Sequence, residues 1–268
     1  VCSSDLGALV LDSAQIDATG LSLTAQGTQD AGGNIQMAAQ VQIDNVGRIA
    51  PGLSGAASLN ADVGRRAGDT GYDIQADLTG PSALSVSTRG RIEDSLQLAL
   101  VFSGRVESAI LNPSIEPANV RGMIQFNGSL DGPPSIESLR LHARTSDAHY
   151  VQPGAGVAFR ELEGEAHLTG LVAQVRVEGN SLAGGRGYLD GSIDLAGSRQ
   201  ANLTVRVENF TVQQPQLFDA RINGSVSLTG SLINGALVRG EVDVAQAEIR
   251  IPNSPLGRQG VALRGLTH

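Results

Sequence analysis

The sequence predicts an all-β protein: an elongated, curled, mainly antiparallel sheet with very little helix. Three observations predict it. Apolar and polar residues alternate at period two along most of the chain, the mark of strands with one apolar face. Turn residues interrupt these runs at short intervals. Glycine is abundant, 34 of 268 residues, while aromatics make up only 3% and tryptophan is absent. Such a composition has too few large side chains to fill a thick core.

In chain order, Leu21 and Leu23 alternate with Ser22 and Thr24, and Leu59, Ala61 and Val63 with Asn60 and Asp62. Ile74, Ala76 and Leu78 alternate with Asp73, Gln75, Asp77 and Thr79. Leu96, Leu98, Leu100 and Phe102 follow, then Leu139 and Leu141, then Val175 and Val177. Leu203, Val205 and Val207 alternate with Thr204, Arg206 and Glu208; Val242, Val244, Ile249 and Ile251 close the series. Asn127-Gly128, Asp131-Gly132, Asn223-Gly224 and Asn234-Gly235 are hairpin-type turn signals. The best helix candidate, Ser135 to Gln152, still alternates at Leu139 and Leu141 and carries strand-favouring Thr145 and Tyr150.

A glycine-framed unit recurs, G-x-h-x-h-x-G with h apolar, at 122–128, 164–170, 191–197 and 224–230. Its spacings of 42, 27 and 33 residues are irregular, whereas solenoids keep a near-constant period. An antiparallel meander of unequal hairpins is therefore expected. A strand and turn every ~13 residues gives roughly 20 strands, stacked over about 95 Å. Proline marks loops or edge interruptions at 108–119 (Pro113, Pro117) and 213–219 (Pro215), and the same pattern resumes beyond each. Residues 7–268 are thus expected to form a single continuous array.

The net charge is −8 with a pI near 5.0, and all 19 basic residues are arginine and scattered. Nucleic acid is not an expected partner, because phosphate binding needs a clustered basic face. Anionic headgroup docking by polybasic segments is excluded on the same ground. Val1-Cys2-Ser3-Ser4-Asp5-Leu6 reads as the translation of a common sequencing adapter, so residues 1–6 are expected to be an artefact preceding an internal piece of a longer protein. One cysteine excludes an internal disulfide.

Segment 220–257 carries a further signature: the framed strand Gly224–Gly230, Val238-Arg239-Gly240-Glu241-Val242, and Ala247-Glu248-Ile249-Arg250-Ile251-Pro252. It resembles the TamB family, the inner-membrane subunits of the translocation and assembly module, within the AsmA-like, bridge-like lipid-transfer superfamily. Looser repeats extend the resemblance to about residue 52. The resemblance implies a β-taco, an open groove in the periplasm of a Gram-negative bacterium, tethered to the inner membrane by an N-terminal helix. It implies phospholipid acyl chains as cargo, support for outer-membrane protein and autotransporter assembly, and a TamA-like outer-membrane barrel partner not contacted by these residues. It carries over no individual functional residues and implies no enzymatic activity.

A lipid conduit needs a uniform apolar lining, since a deep pocket would trap its cargo. From the alternation, the expected groove-lining residues are Ile124, Phe126, Leu168, Ile193, Leu195, Val226, Leu228, Val242 and Val244. The Ser, Thr, Asp and Gln between them are expected to face water. Alternation alone is equally consistent with an ordinary core.

Catalytic and cofactor motifs are weak. His142 and His149 flank Ser146-Asp147, but the spacing fits no zinc signature and no nucleophile elbow is present, so a solvent-facing or rim role is expected and neither metal nor cofactor. Residues 184–191 hold a single Gly-rich run that reads as a turn, and Arg65-Arg66 reads as a solvated turn. Acidic residues are dispersed. The alternative class is a structural or adhesive β-solenoid of a secreted autotransporter-type protein; a β-helix enzyme is weaker, for want of clustered charge and aromatic platforms.

Overall fold

The computed structural model describes residues 2–5, 7–48, 54–214 and 218–249. Sixteen strands form one antiparallel sheet whose spatial order is the sequence order. They are β1 (Cys2–Asp5), β2 (Ala8–Ala18), β3 (Leu21–Gln29), β4 (Ile35–Ile43), β5 (Ala57–Arg65), β6 (Gly71–Gly80), β7 (Leu84–Glu93) and β8 (Leu98–Glu107). They continue with β9 (Asn119–Gly132), β10 (Leu139–Gln152), β11 (Val157–Thr169), β12 (Val172–Ser181), β13 (Arg186–Asp194), β14 (Gln200–Gln214), β15 (Phe218–Ser231) and β16 (Gly235–Ile249). The sheet is open and curled rather than closed into a barrel: β1 and β16 each pair on one side only.

Helix is confined to single turns, including α1 (Asn112–Ile115). Residues 108–115 are a helical link between β8 and β9, as their prolines suggested. The expected loop at 213–219 is narrower, because β14 runs to Gln214 and β15 starts at Phe218; Pro215 lies outside the described residues, as do Ile251 and the 250–252 part of the family signature. The expected 20 strands are sixteen because the later ones are long, up to 15 residues in β14 and β16.

Three turn signals fall in strands. Asn234-Gly235 ends the β15–β16 turn, and Asp131-Gly132 is the paired end of β9 rather than a turn. Asn127-Gly128 lies deeper within β9 and Asn223-Gly224 within β15. Each glycine there serves packing, facing a neighbouring strand so closely that no side chain fits. Leu96 is also not a strand residue: it sits in the β7–β8 turn at φ 61° and is exposed.

No second layer packs on the sheet among the described residues. Contacts between elements run between sequential strands and their own helical turns. The backbone ladder and side-chain contacts along one face therefore hold the array, and the apolar face has no covering sheet or helix.

Bulges keep that face intact. A strand that gains one unpaired residue exchanges its two faces beyond that point. Register shifts occur at Ser146/His149 in β10, Arg160/Glu163 in β11 and Val207/Phe210 in β14. Asp147, Glu161 and Asn209 sit there in the left-handed region, at φ 58°, 52° and 48°. Each shift returns an aromatic to the apolar side: Tyr150 beyond the first, Phe159 beyond the second, Phe210 beyond the third. Their rings form a run, Tyr150 to Phe159 at 6.4 Å and Phe159 to Phe210 at 5.4 Å. Phe159 lies over Gly187, whose missing side chain makes the space.

Candidate functional site

The register resolves the alternation into two surfaces. One continuous row runs Ile16, Leu23, Val41, Leu59, Leu78, Val86, Gly104 and Phe126, each the direct partner of the next. It continues Ala143, Ala166, Val175, Gly191, Leu203, Leu228 and Val238. One residue comes from every strand from β2 to β16, and none is polar. At ~4.8 Å per strand the row is about 67 Å long. The row beside it on the opposite face runs Gln125, Arg144, Glu165, Arg176, Asp190, Thr204, Ser227 and Arg239.

The expected lining residues fall on the apolar face. Ile124 pairs with Val106 and Thr145, and Phe126 with Gly104 and Ala143. Leu168 pairs with Leu141 and Ala173, and Ile193 with Ala173 and Ala201. Val226 pairs with Val205 and Gly240, Leu228 with Leu203 and Val238, Val242 with Gly224, and Val244 with Ile222. Leu195 has the right parity but lies one residue past the end of β13, where its N–H donates to the Leu171 carbonyl at 2.7 Å. It is a rim residue.

The framing glycines explain the repeated unit. In G-x-h-x-h-x-G all four named positions share parity, so the glycines that lie within strands sit on the apolar face with the h residues, whereas Gly170 and Gly197 fall in the turns that follow. At Gly128, and at Gly104 outside the repeat, the missing side chain makes room for a neighbouring ring. Phe102 pairs with Gly128 and Gly104 with Phe126, and each ring occupies the space a side chain on the opposing glycine would need. The two rings lie 6.5 Å apart. Gly191 goes further: at φ 146°, a side chain there would meet the Asn202 carbonyl and Leu203 Cα.

The buried apolar side chains within the strands, Ala76, Val106, Ala148, Ala201 and Phe210, belong to this face, and most of their neighbours are half-buried; Ala118 is buried in the link just before β9. Exposure rises at the sheet ends, to 60% for Ile16 and 59% for Val238. The polar face carries two broad, shallow depressions, of about 790 and 710 Å³. They meet at Gln75 and Arg89; their linings mix polar residues, such as Asp77 and His142 in the first and Gln26 and Asp62 in the second, with apolar ones such as Val101 and Leu168, and Val10 and Met37.

One rim of the sheet is charged. The Arg65 guanidinium donates to Asp94 Oδ2 at 3.0 Å, to the Asp69 carbonyl at 2.7 Å and to Tyr72 Oη at 2.9 Å, and lies over the Tyr72 ring. It is therefore a clamp rather than the solvated turn expected. Arg91 donates to Glu93 at 2.7 Å and approaches Asp69 and Asp73. The hydrogen bond from Arg91, then that from Thr70, holds the Glu93 carboxyl below its ordinary range.

Sequence spacing missed one constellation. His142 and His167 are 25 positions apart in the chain but directly paired across β10 and β11, on the polar face. Nothing in the local sequence signals this; only the register does.

Fold and face together define an extended β-sheet module whose distinguishing feature is one long apolar surface. Residues 176–263 match the family model of the TamB C-terminal domain, from within β12 through β16 and beyond the described residues. That match spans about a third of the chain, and through it the segment is similar to a family of transport and assembly proteins of the bacterial envelope. No curated protein and no solved structure matches the chain. Among the described residues no helix is long and apolar enough to cross a membrane.

Proposed function

We propose that this chain is a periplasmic segment of a bridge between inner and outer membranes, and that its apolar face carries phospholipid acyl chains. The observation behind this reading is the unbroken apolar row from Ile16 to Val238 on a face that no second layer covers among the described residues. An acyl chain leaving a bilayer through water costs about 0.8 kcal/mol per CH₂, or ~13 kcal/mol for sixteen carbons. A continuous apolar surface offsets that cost at every point of the path. Large side chains on this face are few, and the rings of Phe102, Phe126 and Phe159 lie over glycines of neighbouring strands, which limits the relief that could hold the cargo. The same surface and the edge of β16, which pairs on one side only among the described residues, suit support of nascent outer-membrane proteins, including autotransporters, by strand addition. A TamA-like barrel is the expected outer-membrane partner of the whole bridge, contacted outside these residues, and an inner-membrane helix its anchor. The solenoid alternative is disfavoured by the antiparallel sequential order, which contains no stacked coils.

The test is a pair of neighbouring charges on opposite faces. Leu228→Arg interrupts the apolar row, and Ser227→Arg places the same charge behind it. A guanidinium denies apolar contact over about two strand spacings, or eight CH₂ groups touched on one side, so the barrier rises by ~3 kcal/mol. Phospholipid transfer between inner and outer membrane by the protein carrying Leu228→Arg should slow about 100-fold, with Ser227→Arg unaffected. Equal transfer by both, with far-UV circular dichroism unchanged, would contradict the proposal.

A further inference from the structure

On the polar face, behind the proposed lipid surface, β10 and β11 bring His142, Glu165 and His167 together. The two imidazoles stack with centroids 4.3 Å apart and planes 10° from parallel. Glu165 lies two residues before His167, on the same strand and the same face. One donor atom from each of the three lies within 4.8 Å of the others. His142 Nε2 is buried and has no hydrogen-bond partner. Both histidines border the larger polar depression, which leaves an open approach.

A cross-strand aromatic stack alone accounts for the ring geometry. It does not account for an imidazole nitrogen buried without a partner, which is costly, or for a carboxylate held beside it. Two imidazoles and a carboxylate are the donor set of Zn²⁺ and its first-row neighbours, not of Ca²⁺ or Mg²⁺. A tetrahedral ion with bonds of about 2.0–2.1 Å needs its ligand atoms roughly 3.3 Å apart. Binding would therefore draw together donor atoms that now lie within 4.8 Å of one another and rotate the two rings out of their parallel stack.

We propose that His142, His167 and Glu165 form a site for a divalent first-row transition-metal ion of the Zn²⁺ class, with water in the fourth position. Bound there, the ion ties β10 to β11 near the middle of the array and links metal to the stability of the central strands.

The test uses the 268-residue chain with Zn²⁺ by calorimetry and Co²⁺ by visible absorption. Cys2→Ser removes the one thiol as a competing ligand. The expected result is one ion per chain, a tetrahedral Co²⁺ spectrum, and at least tenfold weaker binding for His142→Ala, His167→Ala and Glu165→Gln. His149→Ala should bind as the parent does. A hundredfold excess of Zn²⁺ over Kd should raise the melting temperature of the parent by about 5–10 °C, and that of a His142→Phe/His167→Phe variant not at all. The phenylalanine pair preserves a stack, so it separates loss of metal from loss of fold. No stoichiometric binding at micromolar Zn²⁺, or binding unchanged in the His142→Ala/His167→Ala variant, would overturn the site.

Discussion

The reciprocal packing of Phe102 on Gly128 and Phe126 on Gly104 offers a quantitative test of the sheet register. A methyl group added at Gly128 would lie 2.5 Å from Phe102 Cζ and would also crowd the Arg140 carbonyl. Overpacking of this kind costs about 2 kcal/mol. Phe102 is half-buried, so Phe102→Ala loses about half of a full core truncation, ~2 kcal/mol. If the two sites were independent, the double variant would lose ~4 kcal/mol. Removing the ring vacates the space the methyl needs, so the double variant is expected to lose only about 2–3 kcal/mol, a coupling of ~1–2 kcal/mol. The Arg140 carbonyl remains in the way, which keeps the rescue partial. For a chain of this length each kcal/mol moves the melting temperature about 2–4 °C, so far-UV circular dichroism resolves the cycle. Additive losses would mean that the ring of Phe102 does not lie over Gly128, and the register of β8 on β9 would be wrong.

Other outcomes follow from single features. Gly191→Ala forces both an unfavourable φ and a clash with the Asn202 backbone, and should destabilise by at least ~3 kcal/mol. Gly68→Ala, also at positive φ but in open space, should cost only about 1 kcal/mol, and thermal melting compares the two. Glu93 titrates below its ordinary value of 4.5, so its contribution is present above that pH and is lost as pH falls through the lowered value. Amide protection at Asp94, whose N–H donates to the Thr70 carbonyl, should fall in that acid window by hydrogen exchange. Arg91→Gln should move the titration of Glu93 back towards its ordinary value, with the Thr70 hydrogen bond still holding it down. Asn209 holds the β14 bulge and its backbone N–H is accepted by the Asn223 side chain, so Asn223→Ala should loosen exchange around Phe210.

Much of this fold can be read locally. Period-two runs such as Ile74, Ala76 and Leu78 locate strands and assign their faces because a strand alternates strictly and one face is apolar. The pattern fails where the physics is not local. The Asn-Gly pairs at 127–128 and 223–224 carry turn chemistry, yet their glycines are there because the next strand leaves no room for a side chain. Phe159, Tyr150 and Phe210 fall on the polar side by simple alternation and reach the apolar side through bulges that no local motif marks. Leu195 keeps parity but outlasts its strand. His142 and His167 meet only because two long strands pair in one particular register, which is a property of the sheet and not of either segment.

The central claim is that acyl chains travel on one face and not the other, and photo-crosslinking at alternate positions tests it most directly. A photoreactive residue is placed in turn at positions 124, 126, 226 and 228 of the apolar face and at 125, 127, 225 and 227 of the polar face, and phospholipid adducts are measured by mass spectrometry. The expected result is strong labelling at every even position and background at every odd one. Labelling without period two, or concentrated on the odd positions, would contradict it.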